Sequence, residues 1–212
     1  LLAKAREMAD KIGHDVKALF VGHHIQEQAE QLFHYGADEV FVYDYPQLYD
    51  YRVEPYAAVF EDHIQKEKPT VVLVGGTTIG RSLAPRVAAR FRTGLTADCT
   101  SLDINENTDL DQIRPAFGGN VMAHIQTPNN RPQFATVRYK IFNALEEDIS
   151  QSGILSLEEI DEKKLESKIT VLSTIEKPKA KAIEDAEVLV VAGRGVKKEE
   201  DLQYLQELAD KL

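Results

Sequence analysis

Cysteine occurs once in the sequence, at Cys99, so no internal disulfide can form, and the chain fits a reducing compartment. Positive charge is in deficit: 25 Lys and Arg stand against 35 Asp and Glu, a net charge of −10. That balance excludes a surface built to hold nucleic acid or an anionic membrane. No apolar run approaches the roughly 20 residues of a membrane-spanning helix, and no signal-peptide pattern is visible. The histidines (His14, His23, His24, His34, His63 and His124) lack metal-ligand spacing with Cys or carboxylates, so no metal site is expected. Nor does the sequence support a nucleophile–His–acid arrangement, and no catalytic residue is expected.

What the chain does have is 43% apolar residues over 212 positions, enough for one good core or for one domain plus part of another. It opens on a helical stripe, Leu1, Leu2, Ala5, Met8, Ala9 and Ile12, closed by Gly13. That helix has neither a start Met nor a capping residue before it, so the chain is expected to be trimmed at both ends, with one strand ahead of Leu1. Strands follow over 14–21, 39–43 and 70–74, alternating with helices over 26–35, 53–66 and from about Ser82 to Phe91. Alternation at this spacing implies right-handed crossovers and a parallel sheet. The 70–74 run is apolar without alternation, as a strand buried on both faces should be.

After Arg92 the texture changes. Strand-like runs over 95–104, 112–117, 120–126 and 133–139 are separated by Asn, Asp, Gly and Pro turns, and are expected to add antiparallel hairpin strands to the parallel sheet. Ser156-Leu157-Glu158-Glu159 reads as a capped short helix within a charged stretch, 146–168, and 169–174 as one more strand. A polar stretch short of bulky apolar residues, 177–186, reads as a linker. The expected organisation is an α/β domain over 1–176, the linker, and over 187–212 the first strand and helix of a second α/β domain.

That last stretch carries the clearest ligand-binding pattern. Val188-Leu-Val-Val-Ala192 reads as a buried strand that breaks at Gly193-Arg194-Gly195 and then opens a helix. Small residues let the backbone approach an anion, the first amides of a helix have no internal partner, and Arg194 adds a charge suited to two-point phosphate contact. The other glycine-rich turn, Gly75-x-x-x-x-Gly80-Arg81-Ser82, nearly satisfies the phosphate-loop pattern but has Arg81 where the gripping lysine should stand. Spacing alone makes it a tight strand-to-helix turn, with Ser82 as cap and Pro85 in the first helical turn. Gly118-Gly119-Asn120 is ordinary hairpin chemistry, although Phe117 beside it would present a ring and bare backbone to a flat ligand. Arg81, Arg86, Arg90 and Arg92 fit a solvated or paired surface or, as the sharper alternative, a protein interface. Cys99 reads as a small buried hydrophobe.

Two long blocks make the chain recognisable. They are Val74-Gly-Gly-Thr-Thr-Ile-Gly-Arg-Ser-Leu-Ala-Pro-Arg-Val-Ala-Ala-Arg90 and Thr93-Gly-Leu-Thr-Ala-Asp-Cys-Thr-Ser-Leu-Asp-Ile104. Together with Arg114-Pro-Ala-Phe-Gly-Gly-Asn120, Ala135-Thr-Val-Arg138 and Val191-Ala-Gly-Arg-Gly-Val-Lys197, in that order, they resemble the electron transfer flavoprotein alpha subunit over essentially the whole chain. The resemblance implies a mostly parallel sheet of the adenine-nucleotide-hydrolase-like (Rossmann-like) type, followed by the start of an FAD-binding domain. It implies pairing with a beta subunit that carries AMP or a second FAD. It also implies electron transfer from an acyl-CoA or related flavin dehydrogenase to an acceptor, by a carrier and not a stand-alone catalyst. The form Arg114-Pro-Ala-Phe-Gly-Gly-Asn120 resembles members from anaerobic bacteria, which points to a bacterial cytoplasm ahead of the mitochondrial matrix. The same form leans toward electron bifurcation with NADH and ferredoxin. Gly193, Arg194 and Gly195 are the FAD-contacting positions the resemblance carries over. Arg81, Arg86, Arg114 and Phe117 are the expected contributors to the beta-subunit surface. The reading from another class is a nucleotide-binding or hydrolysing domain that uses the loop of residues 75–82.

Overall fold

The computed structural model describes residues 1–175, 183 and 186–212. The chain divides into two compact units, Leu1–Thr170 and Val171–Leu212. The first holds α1 (Leu2–Ile12), β1 (Lys17–Gly22), α2 (Gln26–Ala29), β2 (Glu39–Asp44), α3 (Val53–Glu67), β3 (Val71–Gly75) and α4 (Thr78–Arg90). It continues through β4 (Leu95–Cys99), β5 (Ser101–Ile104), β6 (Leu110–Ala116), β7 (Val121–Ile125), β8 (Gln133–Val137) and β9 (Ile154–Leu157). The second unit holds α5 (Glu199–Ala209).

Strand and helix alternate as the apolar periodicity demands, and the α/β class with mostly parallel strands holds. Two parallel sheets, ordered β1-β2-β9 and β3-β8-β4, are joined by an antiparallel sheet ordered β5-β6-β7. The central strands β2 and β8 are buried almost throughout, with neighbours on both edges. Helices α1 and α3 each serve both parallel sheets. Leu2 of α1 packs with Ala18 and Phe20 of β1, while Met8 and Ile12 join Val71 and Leu73 of β3. Val59 of α3 shares a cluster with Leu19 and Val21 of β1, and Ala57 and Ile64 share one with Val72 of β3.

Several local expectations are overturned. The 133–139 run is not a hairpin strand: β8 lies parallel between β3 and β4, buried at every position, because its unbroken Phe-Ala-Thr-Val run suits a strand covered on both faces. The antiparallel strands form their own sheet instead of extending the parallel one. Ser156 caps no helix. Ile154–Leu157 is a strand parallel to β2, and the short helix comes later, a 3-10 turn over Glu162–Leu165 capped by Asp161. Gly153 permits that pairing, since a Cβ there would lie 2.3 Å from the Asp38 carbonyl oxygen.

Residues 169–174 form no strand, and neither does 188–192, whose Val188, Leu189 and Val191 are exposed. Extended apolar segments become strands only beside a pairing strand, and no described strand pairs with either segment. Ser82 is not the cap of α4: the helix starts at Thr78 under Thr77, and Pro85 lies within it. Of the expected linker, residues 177–182, 184 and 185 fall outside the described residues.

Candidate functional site

Two places bear on function, one in each unit. In the first unit, the loop between β3 and α4 turns its polar groups inward. The Gly76 amide donates to the Val137 carbonyl at 2.7 Å, and the Gly80 amide donates to Thr77 Oγ1 at 3.1 Å. The Arg81 amide donates to the Thr77 carbonyl at 2.9 Å, and its Nε returns to the Gly76 carbonyl at 2.9 Å. Its glycines answer to packing: a Cβ at Gly76 would meet the Val137 oxygen at 2.7 Å. The amides of Gly76, Gly80 and Arg81 are committed in this way and do not point at a ligand, as those of a phosphate cradle must. The loop is the tight turn that spacing alone favours.

Beyond β4 the geometry is different. The β4 strand bulges between Thr96 and Cys99, and Asp98 takes a left-handed backbone with φ of 65°. The Asp98 amide is held by Thr136 Oγ1 at 2.9 Å. Its carboxylate receives both arms of Arg138, Nε at 3.0 Å and Nη2 at 2.7 Å. Arg138 is itself fixed through its amide on the Cys99 carbonyl at 3.0 Å. The Arg138 guanidinium, with the fields of Arg81 and Arg114, holds the Asp98 carboxyl below the usual carboxylate range.

Beside that pair, the hairpin of β6 and β7 opens a groove of about 330 Å³ lined by Arg114, Pro115, Ala116, Phe117, Gly118, Gly119 and Arg138. Three successive residues at its tip have positive φ: Phe117 at 49°, Gly118 at 70° and Gly119 at 93°. Glycine adopts this freely, but for Phe117 it costs about 1 kcal/mol. Phe117 is 85% exposed, with Val121 and Met122 half exposed on the same hairpin.

Of the arginines singled out by sequence, Arg81 and Arg114 therefore share one neighbourhood. Arg86 and Arg90 turn instead to α3, pairing with Glu54 at 3.6 Å and Glu61 at 2.7 Å. Sequence reasoning missed Asp98 and gave Arg138 no role, because nothing in the local pattern marks a bulge that aims one carboxylate. It also passed over Gln112, fully buried on the β6 face that carries Arg114, with no partner for its side-chain amide. Cys99 is fully buried, as its strand-like setting implied.

In the second unit, Gly193-Arg194-Gly195 forms a turn, with the Val196 amide on the Gly193 carbonyl at 3.1 Å. Arg194 is exposed and makes no hydrogen bond or ion pair among the described residues. No described residue lies within 4 Å of a Cβ built on Gly193 or Gly195, so no crowding among the described residues requires either glycine. Open backbone beside a guanidinium without a partner among the described residues suits the approach of a phosphate group. The helix does not share in this. Helix α5 begins only at Glu199, and its first turn carries Glu199, Glu200 and Asp201, carboxylates that already answer the positive end of the helix.

No described helix is long and apolar enough to cross a membrane, and no described group of three or more His, Cys, Asp or Glu could hold a metal. Comparison with known proteins supplies the family. Residues 1–188 match the model described as electron transfer flavoprotein domain. Lactate dehydrogenase (NAD(+),ferredoxin) subunit LctC of Acetobacterium woodii is 56% identical over 212 residues, all of this chain and 51% of the relative. The electron transfer flavoprotein subunits alpha of Thermoanaerobacterium thermosaccharolyticum and Megasphaera elsdenii are 42% and 44% identical, over all of this chain and 64% of each relative. The chain thus spans between half and two thirds of the length of these relatives. With its mixed α/β fold and residues 1–188 of 212 matched, the chain belongs to the electron transfer flavoprotein family.

Proposed function

We propose that this chain is part of an electron transfer flavoprotein alpha subunit, one half of a heterodimer that carries electrons between flavin dehydrogenases and an acceptor. It works as a carrier and not as a catalyst with its own substrate. Residues 1–176 are the α/β domain that meets the beta subunit, residues 177–186 are the linker, and residues 187–212 begin the FAD-binding domain. The observation that supports this most is the Arg114–Phe117 groove. An exposed aromatic ring on strained backbone, next to guanidiniums in a chain of net charge −10, is costly in isolation and suited to a protein contact. Arg81 adds its charge from α4.

FAD, when bound, supplies the one- and two-electron redox chemistry. In this chain, Arg194 would hold a phosphate oxygen of the cofactor, and Gly193 and Gly195 would let the backbone close on it. The beta subunit would carry AMP or a second FAD. The words NAD(+) and ferredoxin in the name of the A. woodii relative support the bifurcating form, with NADH and ferredoxin as redox partners. The flavin dehydrogenase served would be of the acyl-CoA type or, as that name indicates, one acting on lactate. The bacterial sources of the relatives support a cytoplasmic location.

The test is purification of the full-length alpha subunit with its beta subunit, followed by the visible spectrum and flavin stoichiometry. A stoichiometric complex with flavin bands is expected. Arg194→Ala should lower the flavin retained on dilution without lowering the melting temperature of the apoprotein. A flavin-free alpha subunit that stays monomeric beside its beta subunit and hydrolyses ATP would overturn the reading.

A further inference from the structure

The electrostatics around Asp98 do not balance. One carboxylate faces Arg138 directly and lies in the fields of Arg81 and Arg114. Arg114 spends only its Nε, on the Pro115 carbonyl at 3.3 Å, and its two terminal nitrogens donate to nothing among the described residues. Arg138 grips Asp98 with Nε and Nη2, which leaves Nη1 directed elsewhere. A guanidinium offers five N–H donors in a planar fork, so both arginines retain donors matched to a further carboxylate.

We propose that the groove between Arg114 and Arg138 receives a carboxylate from the surface of the partner polypeptide, and that Asp98 is the positioning residue that holds Arg138 ready for it. This rests on the reading that the chain pairs with a beta subunit, and it names the chemistry of that contact. Three observations favour a protein carboxylate over a free anion. The groove is shallow and lies beside exposed Phe117, Val121 and Met122, and the mix of Arg, Phe and Met is that of an interface centre. The outer edge of β7 is unpaired among the described strands, so the hairpin ends in open sheet that a partner could cover. And Asp98 is aimed by a built scaffold of a bulge, a left-handed residue and the Thr136 hydroxyl, which a merely solvated ion pair does not need.

The experiment measures association and dissociation rates of the full-length alpha subunit with its beta subunit at several salt concentrations. Arg114→Gln and Arg138→Gln should each weaken the complex about tenfold or more and flatten its salt dependence. Arg138→Lys keeps the charge but not the fork, and should recover only a minor part of that loss. Asp98→Asn separates positioning from charge. It leaves the groove more positive, so the on-rate should hold or rise, yet the off-rate should increase about tenfold as Arg138 loses its anchor. Arg90→Gln, far from the groove on the Glu61 pair, is the matched control and should change nothing.

Wild-type off-rates in the two Gln variants would overturn the proposal, and so would a tighter complex with Asp98→Asn. If millimolar inorganic phosphate binds through Arg114 and Arg138 while leaving the affinity for the beta subunit unchanged, the groove binds a free anion and the proposal fails. Failure of the wild-type pair to associate would remove the pairing itself.

Discussion

Gly80, in the first turn of α4, lies so close to the end of β3 that a Cβ there would stand 1.9 Å from the Gly75 carbonyl oxygen. The obstacle is backbone, which cannot swing aside as a side chain would. Gly80→Ala gains about 1 kcal/mol of helix propensity but loses more to overpacking, which costs about 1–3 kcal/mol and more against main chain. Thermal unfolding of Gly80→Ala should occur roughly 5–10 °C lower than wild type. Gly193→Ala, with nothing in reach of the new methyl, should melt within about 0.5 kcal/mol of wild type. Equal melting of both variants would show that helix and strand can separate at no cost.

The same glycine shows what could be read from sequence and what could not. The pattern Gly75-x-x-x-x-Gly80 marked a strand-to-helix turn correctly, because strand and helix periodicities flank it. Whether its glycines face a phosphate or a neighbouring backbone depends on the partner strand β8, sixty residues on, whose Val137 carbonyl takes the Gly76 amide. Ser156-Leu157 failed for a related reason: a hydroxyl followed by carboxylates looks like a helix cap until β2 supplies a pairing edge. Leu1 to Val74 alternated cleanly and was legible almost element by element. Asp98, Arg138 and Phe117 meet only through a bulge and a hairpin, and local pattern does not encode that meeting.

His63 gives the pH dependence a definite sign. It lies 7% exposed on the face of α3 toward β2, its ring edge-on to Phe41 at 4.6 Å and its Nδ1 without a partner among the described residues. Burial lowers its affinity for a proton below the ordinary histidine value of 6.5, the nearby Glu67 and Glu158 opposing and Lys17 and Lys66 reinforcing that shift. The unfolded chain therefore binds a proton that the folded one resists. Stability contributed by the neutral ring is fully present above about pH 6.5 and is lost as pH falls below it. Denaturant unfolding between pH 7.5 and 5.5 should show this loss, and His63→Phe should reduce it. An unchanged slope in the variant would assign the dependence to other groups.

Cys99 should behave as a structural thiol. It is fully buried at the end of β4, and burial pushes its thiol up to about 11. At pH 7.5 almost none is thiolate, and the thiolate is the reactive form. A disulfide reagent should label the native protein at the rate of global unfolding and the denatured protein within seconds. Fast native labelling would mean that the β4 bulge opens locally around Asp98.

The edges of β1 and β3 that no described strand covers make the last prediction. Both strands are apolar on both faces, Leu19, Phe20 and Val21 in one and Val71 through Val74 in the other, a composition suited to the middle of a sheet. Yet among the described residues β1 pairs only with β2 and β3 only with β8, and both are intermediate in burial where β2 and β8 are closed. Helices α1 and α3 cover the two faces but cannot bond the outward amides. Amide exchange on this chain should therefore split by strand. In β1 and β3 about half the amides, those facing away from the partner strand, should exchange by local opening. In β2 and β8 nearly all should wait for global unfolding. Uniform protection across the four strands would mean that the two edges are covered in solution by backbone that pairs with both.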